Sequence, residues 1–281
     1  MIKAIVLDID GVIVGNNVGV NFPQPSKKVS ETIRKIHDKG IPVSFLSGKP
    51  SFAAAENIKT VGIDNPHIAD GGAVIFNPIQ NDIIHVSSLP TEETRRILKD
   101  LESTYLCLFT TEGYYLKEDL ENSFTKKYSR FAGKSPKLIS AFDSVLQENI
   151  TKINIYAFSE DEKKRIESIV NKHKNLKHSN WSTNPIIDPV QVMVITSKNV
   201  SKRDGVKYLA KYLNVSLDEV LGVGDTMHDW DFLEICGYKG VMKNASDQLK
   251  EMIDLDDSQS YVGGHVNEDG IINIFEYFEL I

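Results

Sequence analysis

Residues 3–11 read Lys-Ala-Ile-Val-Leu-Asp-Ile-Asp-Gly, an apolar run that ends abruptly in two carboxylates and a glycine. Short branched runs that stop at polar residues and glycine are typical of buried parallel strands. A second such run, residues 41–46, leads into Ser47, and helical spacing at Ile33 and Ile36 lies between the two runs. This strand–helix–strand order predicts an open α/β sheet with right-handed crossovers.

Polar side chains follow the predicted strands at the point where each strand ends. Asp8 and Asp10 follow the first strand, Ser47 follows the second, and Asp225 follows a later run at 220–223. Ligands of open α/β sheets bind outside the carboxyl ends of the strands. The topology therefore predicts that these side chains meet at one edge of the sheet, which is called the rim below.

The middle of the chain changes character and predicts a second domain. Mixed strands and helices, beginning with a strand at Asp82–Leu89, replace the regular α/β alternation, which returns with a strand at Val190–Thr196. We expect a Rossmann-like, doubly wound parallel sheet formed by residues 1–81 and 186–281. An α+β domain is predicted to be inserted at residues 82–185.

Composition and charge exclude several classes of protein. The chain has 281 residues, of which 41% are hydrophobic and 25% are charged, so it has ample material for a globular core. Its net charge of −7 disfavours nucleic acid as a partner. The longest apolar run has five residues, which is far too short for a membrane span or a signal peptide. With two cysteines and no CxxC pair, the sequence predicts a cytoplasmic protein with reduced thiols.

Crowded carboxylates on the rim point to phosphoryl transfer. Asp8 and Asp10, together with Asp225 and Asp229, would repel one another unless a cation intervened. Mg²⁺ suits such a set of hard oxygen ligands. Lys202 adds a positive charge and the Ser47 loop adds hydrogen-bond donors, so the same edge suits a phosphoryl group attacked by a carboxylate.

Four motifs follow one another along the chain, each at the edge of a predicted strand or helix. The motifs are Leu7-Asp8-Ile9-Asp10-Gly11, Phe45-Leu46-Ser47-Gly48, Lys202, and Gly224-Asp225-Thr226-Met227-His228-Asp229. They cover the core across most of the chain, and in this order they make the sequence resemble the haloacid dehalogenase (HAD) superfamily of aspartyl phosphohydrolases.

The resemblance implies catalytic roles for the matching positions. Asp8 would be the nucleophile and a Mg²⁺ ligand, and Asp10 would be the general acid/base with its backbone carbonyl on the metal. Lys202 would neutralise the nucleophile and the phosphate, while Ser47 and Gly48 would bind the phosphoryl group. Lys198 and Arg203 are the alternatives to Lys202 as the cation of the site.

Further positions complete the metal and substrate sites that the resemblance implies. Asp225 would ligate the metal, and Asp229 would complete the metal site by orienting a metal-bound water or Lys202. Asn244 and Lys49 are predicted to contact the substrate, although the related proteins usually carry Arg at the position of Lys49. They also usually carry Asn where this chain has His228.

Spacing between the motifs selects a branch of the superfamily. Only 36 residues separate Asp10 from Ser47, but 154 separate Ser47 from Lys202. The chain therefore resembles the Cof-type, or IIB, branch, which carries an α/β cap of the C2 type at the second position. The implied function is a Mg²⁺-dependent phosphatase acting on a small phosphorylated metabolite, such as a sugar phosphate or a phosphoglycolate-like compound, through an aspartyl-phosphate.

Two alternatives remain open from sequence. A phosphomutase on the same scaffold would return the phosphoryl group to the sugar rather than to water. A non-enzymatic phospho-acceptor, like a response-regulator receiver, also gathers acidic residues, a Ser or Thr and a Lys at one edge of a sheet. It needs about half this length, and it gives no reason for the inserted domain or for the Asp225–Asp229 pattern.

Overall fold

A computed structural model describes residues 1–183, 187–254 and 256–281. The strands are β1 Ala4–Asp8, β2 Val43–Leu46, β3 His67–Ala69, β4 Val74–Asn77, β5 Asp82–Val86, β6 Leu106–Phe109, β7 Tyr114–Lys117, β8 Lys137–Ile139, β9 Lys152–Ala157, β10 Leu176–His178, β11 Gln191–Ser197, β12 Val220–Gly224, β13 Tyr238–Val241 and β14 Ser260–Val262. The helices are α1 Lys27–Asp38, α2 Ser51–Val61, α3 Thr91–Asp100, α4 Ser123–Ala132, α5 Glu160–Val170, α6 Lys202–Tyr212, α7 Trp230–Leu233, α8 Asp247–Glu251 and α9 Ile271–Tyr277.

The chain divides into two compact units. The first unit combines Met1–His85 with Ser201–Ile281, and the second unit is Val86–Val200. The second unit therefore interrupts the first in sequence. One predicted domain boundary, between residues 185 and 186, lies outside the described residues.

An eight-stranded sheet forms the centre of the first unit, in the order β14-β13-β12-β1-β2-β3-β4-β5. The strands from β14 to β3 pair in parallel, and β4 pairs antiparallel with β3. The predicted fold class, a Rossmann-like sheet with an inserted α+β domain, is confirmed.

Burial explains why the central strands of this sheet are apolar throughout. All five residues of β1 are buried, as expected for a parallel strand that is covered on both faces. On α1, Val29, Ile33 and Ile36 form the buried stripe, and on α6 the residues Val206 and Leu209 face the core. Both helices thus bury apolar stripes in the first unit, and the polar residues considered below follow the carboxyl ends of its strands.

The second unit is built on a six-stranded sheet in the order β10-β11-β9-β6-β7-β8. Its pairs are antiparallel except for β7 with β8, which are parallel. It has its own apolar core, in which Ile153 and Ile155 of β9 pack with Ile97 of α3 and Ile166 of α5. This mixed arrangement agrees with the α+β character expected for the middle of the chain.

Two strands belong to a different sheet from the one expected from sequence. The strand expected at 82–89 is β5, which lies at an edge of the first sheet, and the strand expected at 190–196 is β11, which pairs with β9 in the second. Partial burial along both strands shows that neither is a doubly covered core strand. No helix in the described part of the chain is long and apolar enough to cross a membrane.

Candidate active site

Strand register brings the predicted residues to one edge of the first sheet. Asp8, the last residue of β1, lies opposite Leu46 of β2, and Leu7 lies opposite Val223 of β12. Ser47 follows Leu46 directly, and Asp225 follows Val223 after one residue. The parallel pairing therefore places both beside Asp8 at the carboxyl ends of three neighbouring strands.

Lys202 connects the two halves of this site. It is the first residue of α6, which begins at the capping residue Ser201. Its Nζ lies 2.6 Å from Asp8 Oδ1 and 2.6 Å from Asp229 Oδ1. The neighbouring Arg203 instead forms ion pairs with two acidic residues of the segment 230–234.

Asp229 organises the loop that follows β12. The residue is fully buried, and its Oδ2 accepts hydrogen bonds from the backbone N–H groups of Asp225 at 3.0 Å and Thr226 at 2.9 Å. The hydroxyl group of Thr226 donates a third bond to the same oxygen at 3.0 Å. Both oxygens of Asp229 are thus occupied, which fixes the direction in which Asp225 leaves the strand.

Asp225 completes a group of three carboxylates. Oxygen atoms of Asp8, Asp225 and Asp229 all lie within 4.8 Å of one another. Gly11 leaves room for the Asp225 carboxylate, because a Cβ on residue 11 would lie 1.9 Å from Asp225 Oδ2. Its φ of +81° also favours glycine. The other oxygen, Asp225 Oδ1, is buried and has no hydrogen-bond partner among the described residues.

Burial and charge shift the ionisation of these groups. Burial raises the pKa of Asp8 to about 7, and although Lys202 opposes this shift, Asp229 adds to it. Burial likewise raises the pKa of Asp225 to about 7, with repulsion from Asp8 and Asp229 contributing. Burial also acts on Asp229, but Lys202 and the hydrogen bonds to its carboxylate outweigh it and lower its pKa.

Neighbouring carboxylates keep the amino group of Lys202 charged. Burial works against the ammonium group, but the carboxylates of Asp8 and Asp229 outweigh it and raise the pKa of Lys202 above its ordinary value. One ammonium group therefore faces three carboxylates, and the site carries an excess of negative charge when all of them are ionised.

The donor set fits a divalent cation. Hard oxygen ligands are those preferred by such ions. Asp225 Oδ1, which is buried and has no hydrogen-bond partner among the described residues, belongs to a cluster in which one ammonium group faces three carboxylates. Burial raises the pKa of both Asp8 and Asp225, and repulsion from neighbouring carboxylates adds to this shift. The cluster could therefore hold a divalent cation, with Asp8 and Asp225 as the least committed side-chain ligands.

Asp10 and Lys49 form a second, more exposed part of the rim. Lys49 Nζ lies 2.7 Å from Asp10 Oδ1, and both side chains are accessible to solvent. The backbone N–H of Lys49 donates to Ser47 Oγ at 3.0 Å. Because the hydroxyl oxygen of Ser47 serves here as an acceptor, its own hydrogen can be donated elsewhere.

The remaining positions singled out from the sequence are Asn244, Gly48 and His228. Asn244 Nδ2 donates to the carbonyl of Gly11 at 2.9 Å, and its Oδ1 accepts from the N–H of Val266 at 2.8 Å. Asn244 thus ties the loop after β1 to the loop before α9, and its contact with substrate stays a prediction. Gly48 and His228 are exposed.

Sequence reasoning assigned no role to Thr226, although its hydroxyl group bonds to Asp229. The only available signal was its position inside the Gly-Asp-Thr loop, where a hydroxyl can satisfy a buried carboxylate. Sequence reasoning also overlooked Asp70, which is almost completely buried.

Comparison with known proteins identifies the family. The family model described as haloacid dehalogenase-like hydrolase matches residues 5–275. The chain belongs to this family. The superfamily resemblance carried by the four motifs is thereby confirmed, and the chain is a hydrolase of the HAD type.

Individual relatives match along nearly the whole chain. The chain is 25% identical over 279 residues to a phosphoglycolate phosphatase of Methanobrevibacter smithii, covering 99% of both proteins. It is also 25% identical over 276 residues to phosphatase YwpJ of Bacillus subtilis, covering 90% of this chain and 93% of the relative. The structure of BT4131, a HAD subclass IIB sugar phosphatase, aligns with a TM-score of 0.75 and 21% identity over 99% of this chain and 100% of that one. This last likeness shows that the two chains share a fold.

Proposed function

We propose that this hydrolase is a Mg²⁺-dependent phosphatase that acts on a small phosphorylated metabolite through an aspartyl-phosphate on Asp8. The observation that carries the proposal is the bridge from Lys202 to both Asp8 and Asp229, beside the partnerless oxygen of Asp225. Relatives that are named phosphatases and that match nearly the whole chain also support the proposal.

Asp8 is suited to the nucleophile because one of its oxygens is held by Lys202 and the other remains for the phosphorus atom. Lys202 keeps this carboxylate in place and offsets negative charge as the new bond forms. The ester oxygen leaves as the bond between Asp8 and phosphorus forms. A water molecule then attacks the phosphorus, releases inorganic phosphate and regenerates the Asp8 carboxylate.

Asp10 is proposed as the general acid/base. In its protonated form it gives a proton to the departing ester oxygen, and as a carboxylate it then takes a proton from the attacking water. Its side chain is exposed and, among the described residues, is paired with Lys49 alone, so it can turn towards either group. Lys49 and Ser47, with Gly48 beside it, are proposed to contact the phosphorylated substrate, and Asn244 to contact it from the opposite loop.

Asp8 and Asp225 would hold Mg²⁺, with the backbone carbonyl of Asp10 as a third ligand, while Asp229 orients Lys202 and the loop of Asp225. The cation supplies charge neutralisation for the phosphoryl oxygens when it is bound. The substrate is proposed to be a sugar phosphate or a phosphoglycolate-like compound, the protein to act in the cytoplasm, and nucleic acid and membranes to be absent from its partners.

The test is release of inorganic phosphate from a panel of phosphorylated metabolites by the purified protein with Mg²⁺. We expect turnover of at least one sugar phosphate or phosphorylated small acid, abolished by chelator and by Asp8→Asn. Release from none of them would contradict the proposal. Isomerised product in place of phosphate would instead assign a phosphomutase, and a stable phosphorylated protein without turnover would assign a phospho-acceptor.

A further inference from the structure

The segment Asp70–Gly72, which follows β3, has an unusual backbone. Its three residues have positive φ angles of 51°, 65° and 110° in succession. Asp70 is also almost completely buried, at 1% exposure. A left-handed backbone is unfavourable for a residue with a Cβ, so it persists only where the surroundings enforce it, and such residues cluster at functional sites.

On one side, this segment holds the loop that carries Ser47. The N–H of Gly71 donates to the carbonyl of Ser47 at 3.0 Å, and the N–H of Asp70 donates to the carbonyl of Lys49 at 2.9 Å. The N–H of Ser47 in turn donates to the carbonyl of Ile68 at 3.0 Å. The backbone of the Ser47 loop is therefore fixed by residues 68–71.

The carboxylate of Asp70 adds a contact to the start of α2. Pro50 occupies the capping position of this helix and offers no side-chain acceptor. Asp70 Oδ2 instead accepts a hydrogen bond from the N–H of Ser51 at 3.4 Å. Amide groups at a helix start need acceptors and favour negative charge, so Asp70 caps α2 from a different loop.

On the other side, the same segment touches the residue that precedes Lys202. A Cβ on Gly72 would lie 2.0 Å from the carbonyl oxygen of Ser201, so only glycine permits this approach. Ser201 caps α6, whose first residue is Lys202. Three consecutive residues thus contact both the Ser47 loop and the start of the helix that carries Lys202.

We propose that Asp70 is a positioning residue for phosphoryl binding. By capping α2 and holding the turn Asp70–Gly72, it sets the position of Ser47 relative to Lys202, so that both groups reach the same phosphoryl group. Asp70 does not itself touch the phosphoryl group. This inference rests on the proposed function, because it takes Ser47 and Lys202 as groups that bind phosphate.

The test compares two variants of Asp70 with a matched control. Asp70→Gly removes the carboxylate without adding backbone strain, and Asp70→Asn keeps an acceptor. The control is Asn214→Gly, because Asn214 is exposed, has a φ of 54° and follows the opposite end of α6. The measurements are KM and kcat for p-nitrophenyl phosphate, the inhibition constant of inorganic phosphate, and the thermal melt of each protein.

We expect Asp70→Gly to raise the inhibition constant of inorganic phosphate about tenfold or more, since small misplacements of binding groups have large effects. Asp70→Asn should recover most of the affinity, and Asn214→Gly should leave it unchanged. In a Ser47→Ala background, Asp70→Gly should cause little further loss, because residues that act through one another are not additive. Where Asp70→Gly does not melt cooperatively, Asp70→Ala replaces it, since alanine has no acceptor for the N–H of Ser51.

Several results would overturn the inference. These are unchanged phosphate inhibition in a folded Asp70→Gly protein, an equal loss in Asn214→Gly, or full additivity with Ser47→Ala. A wild-type protein that neither hydrolyses p-nitrophenyl phosphate nor binds inorganic phosphate would overturn the proposed function as well. An active wild type with an equally active Asp70→Gly variant would overturn the role of Asp70 alone.

Discussion

Asp8 and Asp10 are two residues apart, yet the structure gives them opposite surroundings. Asp8 is buried and bonded to Lys202, whereas Asp10 is exposed and bonded to Lys49. A fixed, buried carboxylate suits attack on phosphorus, and an exposed one that can turn suits the movement of protons. These surroundings support the proposed division of labour, with Asp8 as the nucleophile and Asp10 as the general acid/base.

This division predicts that the effect of Asp10→Asn depends on the leaving group of the substrate. Asp10→Asn should slow hydrolysis of an alkyl phosphate by about 10²–10⁴-fold, the usual contribution of proton transfer to a leaving group. A phenolate of low pKa leaves without a proton, so single-turnover phosphorylation by an aryl phosphate should slow much less. Equal losses for both substrates would remove Asp10 from the acid role.

The raised pKa values of Asp8 and Asp225 predict a pH-dependent response to the cation. In the cation-free protein burial raises the pKa of both carboxyl groups to about 7 from the ordinary value of 3.8. The stability that their protonation provides is therefore present in full below about pH 4 and is lost as the pH rises through 7. A cation must displace these protons at low pH but meets two carboxylates at high pH. The increase in melting temperature caused by Mg²⁺ should therefore be small at about pH 5.5 and larger at about pH 8.

The Asp225→Asn variant is the control for this experiment, because it removes one titrating ligand while conserving shape. It should show a smaller increase in melting temperature and a weaker dependence on pH. An increase of the same size at both pH values in the wild-type protein would contradict the assignment of Asp8 and Asp225 as ligands.

At the scale of elements, the junction of β2 and β3 depends on a buried histidine. His67 is fully buried, packs between Phe45 and Phe76, and accepts a hydrogen bond at Nδ1 from the N–H of Phe45 at 2.9 Å. Burial lowers the pKa of His67 to about 3 from an ordinary value of 6.5. The imidazole therefore stays neutral in the folded protein and holds together strands that carry Ser47 and Asp70.

The sign of the pH effect at His67 follows from this shift. Below about pH 6.5 the unfolded chain binds a proton that the folded chain does not, so stability present above pH 6.5 is lost as the pH falls towards 3. His67→Gln should lower the free energy of unfolding at pH 7 by about 1–3 kcal/mol. It should also weaken the decline in stability between about pH 6.5 and about pH 5.

Urea unfolding at several pH values measures both effects. His178→Gln serves as the control, since His178 is exposed on β10, does not contribute to the shift in the pKa of His67, and should change neither quantity appreciably. An unchanged pH dependence in the His67→Gln protein would show that the buried imidazole does not control acid stability.

The elements also show how far sequence reasoning reaches. A helix at Ile33 and Ile36, which is α1, was predictable from the spacing of its apolar residues. The ends of β1, β2 and β12 were predictable as well, because local apolar runs and the residues that stop them determine where parallel strands end. The sheet membership of β5 and β11 was not predictable, because a short apolar run does not specify which sheet it joins. Asp70 was missed for a related reason, since its importance arises from a left-handed backbone and contacts with residues distant in sequence.

At the scale of the whole molecule, the two units have separate apolar cores. In the first unit, His85 stacks on Tyr208 of α6 with ring centroids 4.3 Å apart. The elements that flank the second unit in sequence therefore already pack on each other. This arrangement makes it feasible to replace residues 86–200 by a short linker while the first sheet is retained.

Such a replacement should separate chemistry from selectivity. The first unit holds Asp8, Lys202, Asp225 and Asp229, so the shortened protein should retain weak hydrolysis of p-nitrophenyl phosphate. It should lose its preference among phosphorylated metabolites, because we expect the groups that recognise the leaving alcohol to lie in residues 86–200. The loss of substrate orientation alone should cost about 10²-fold.

A cooperative melt must first establish that the shortened protein is folded. If a folded protein without residues 86–200 kept the substrate ranking of the full chain, selectivity would reside in the first unit, at residues such as Lys49 and His228. The prediction that the inserted domain selects the substrate would then be wrong.

The central claim, that Asp8 carries the phosphoryl group during turnover, has a direct measurement. The Asp10→Asn variant is mixed with an aryl phosphate and Mg²⁺, quenched in acid, and analysed by peptide mass spectrometry, with Asp8→Asn as the blank. We predict a burst of phenol stoichiometric with enzyme and one phosphoryl group on the peptide containing Asp8, because the variant forms the intermediate but hydrolyses it slowly. Turnover without a burst, and with Asp8 unmodified, would contradict the account.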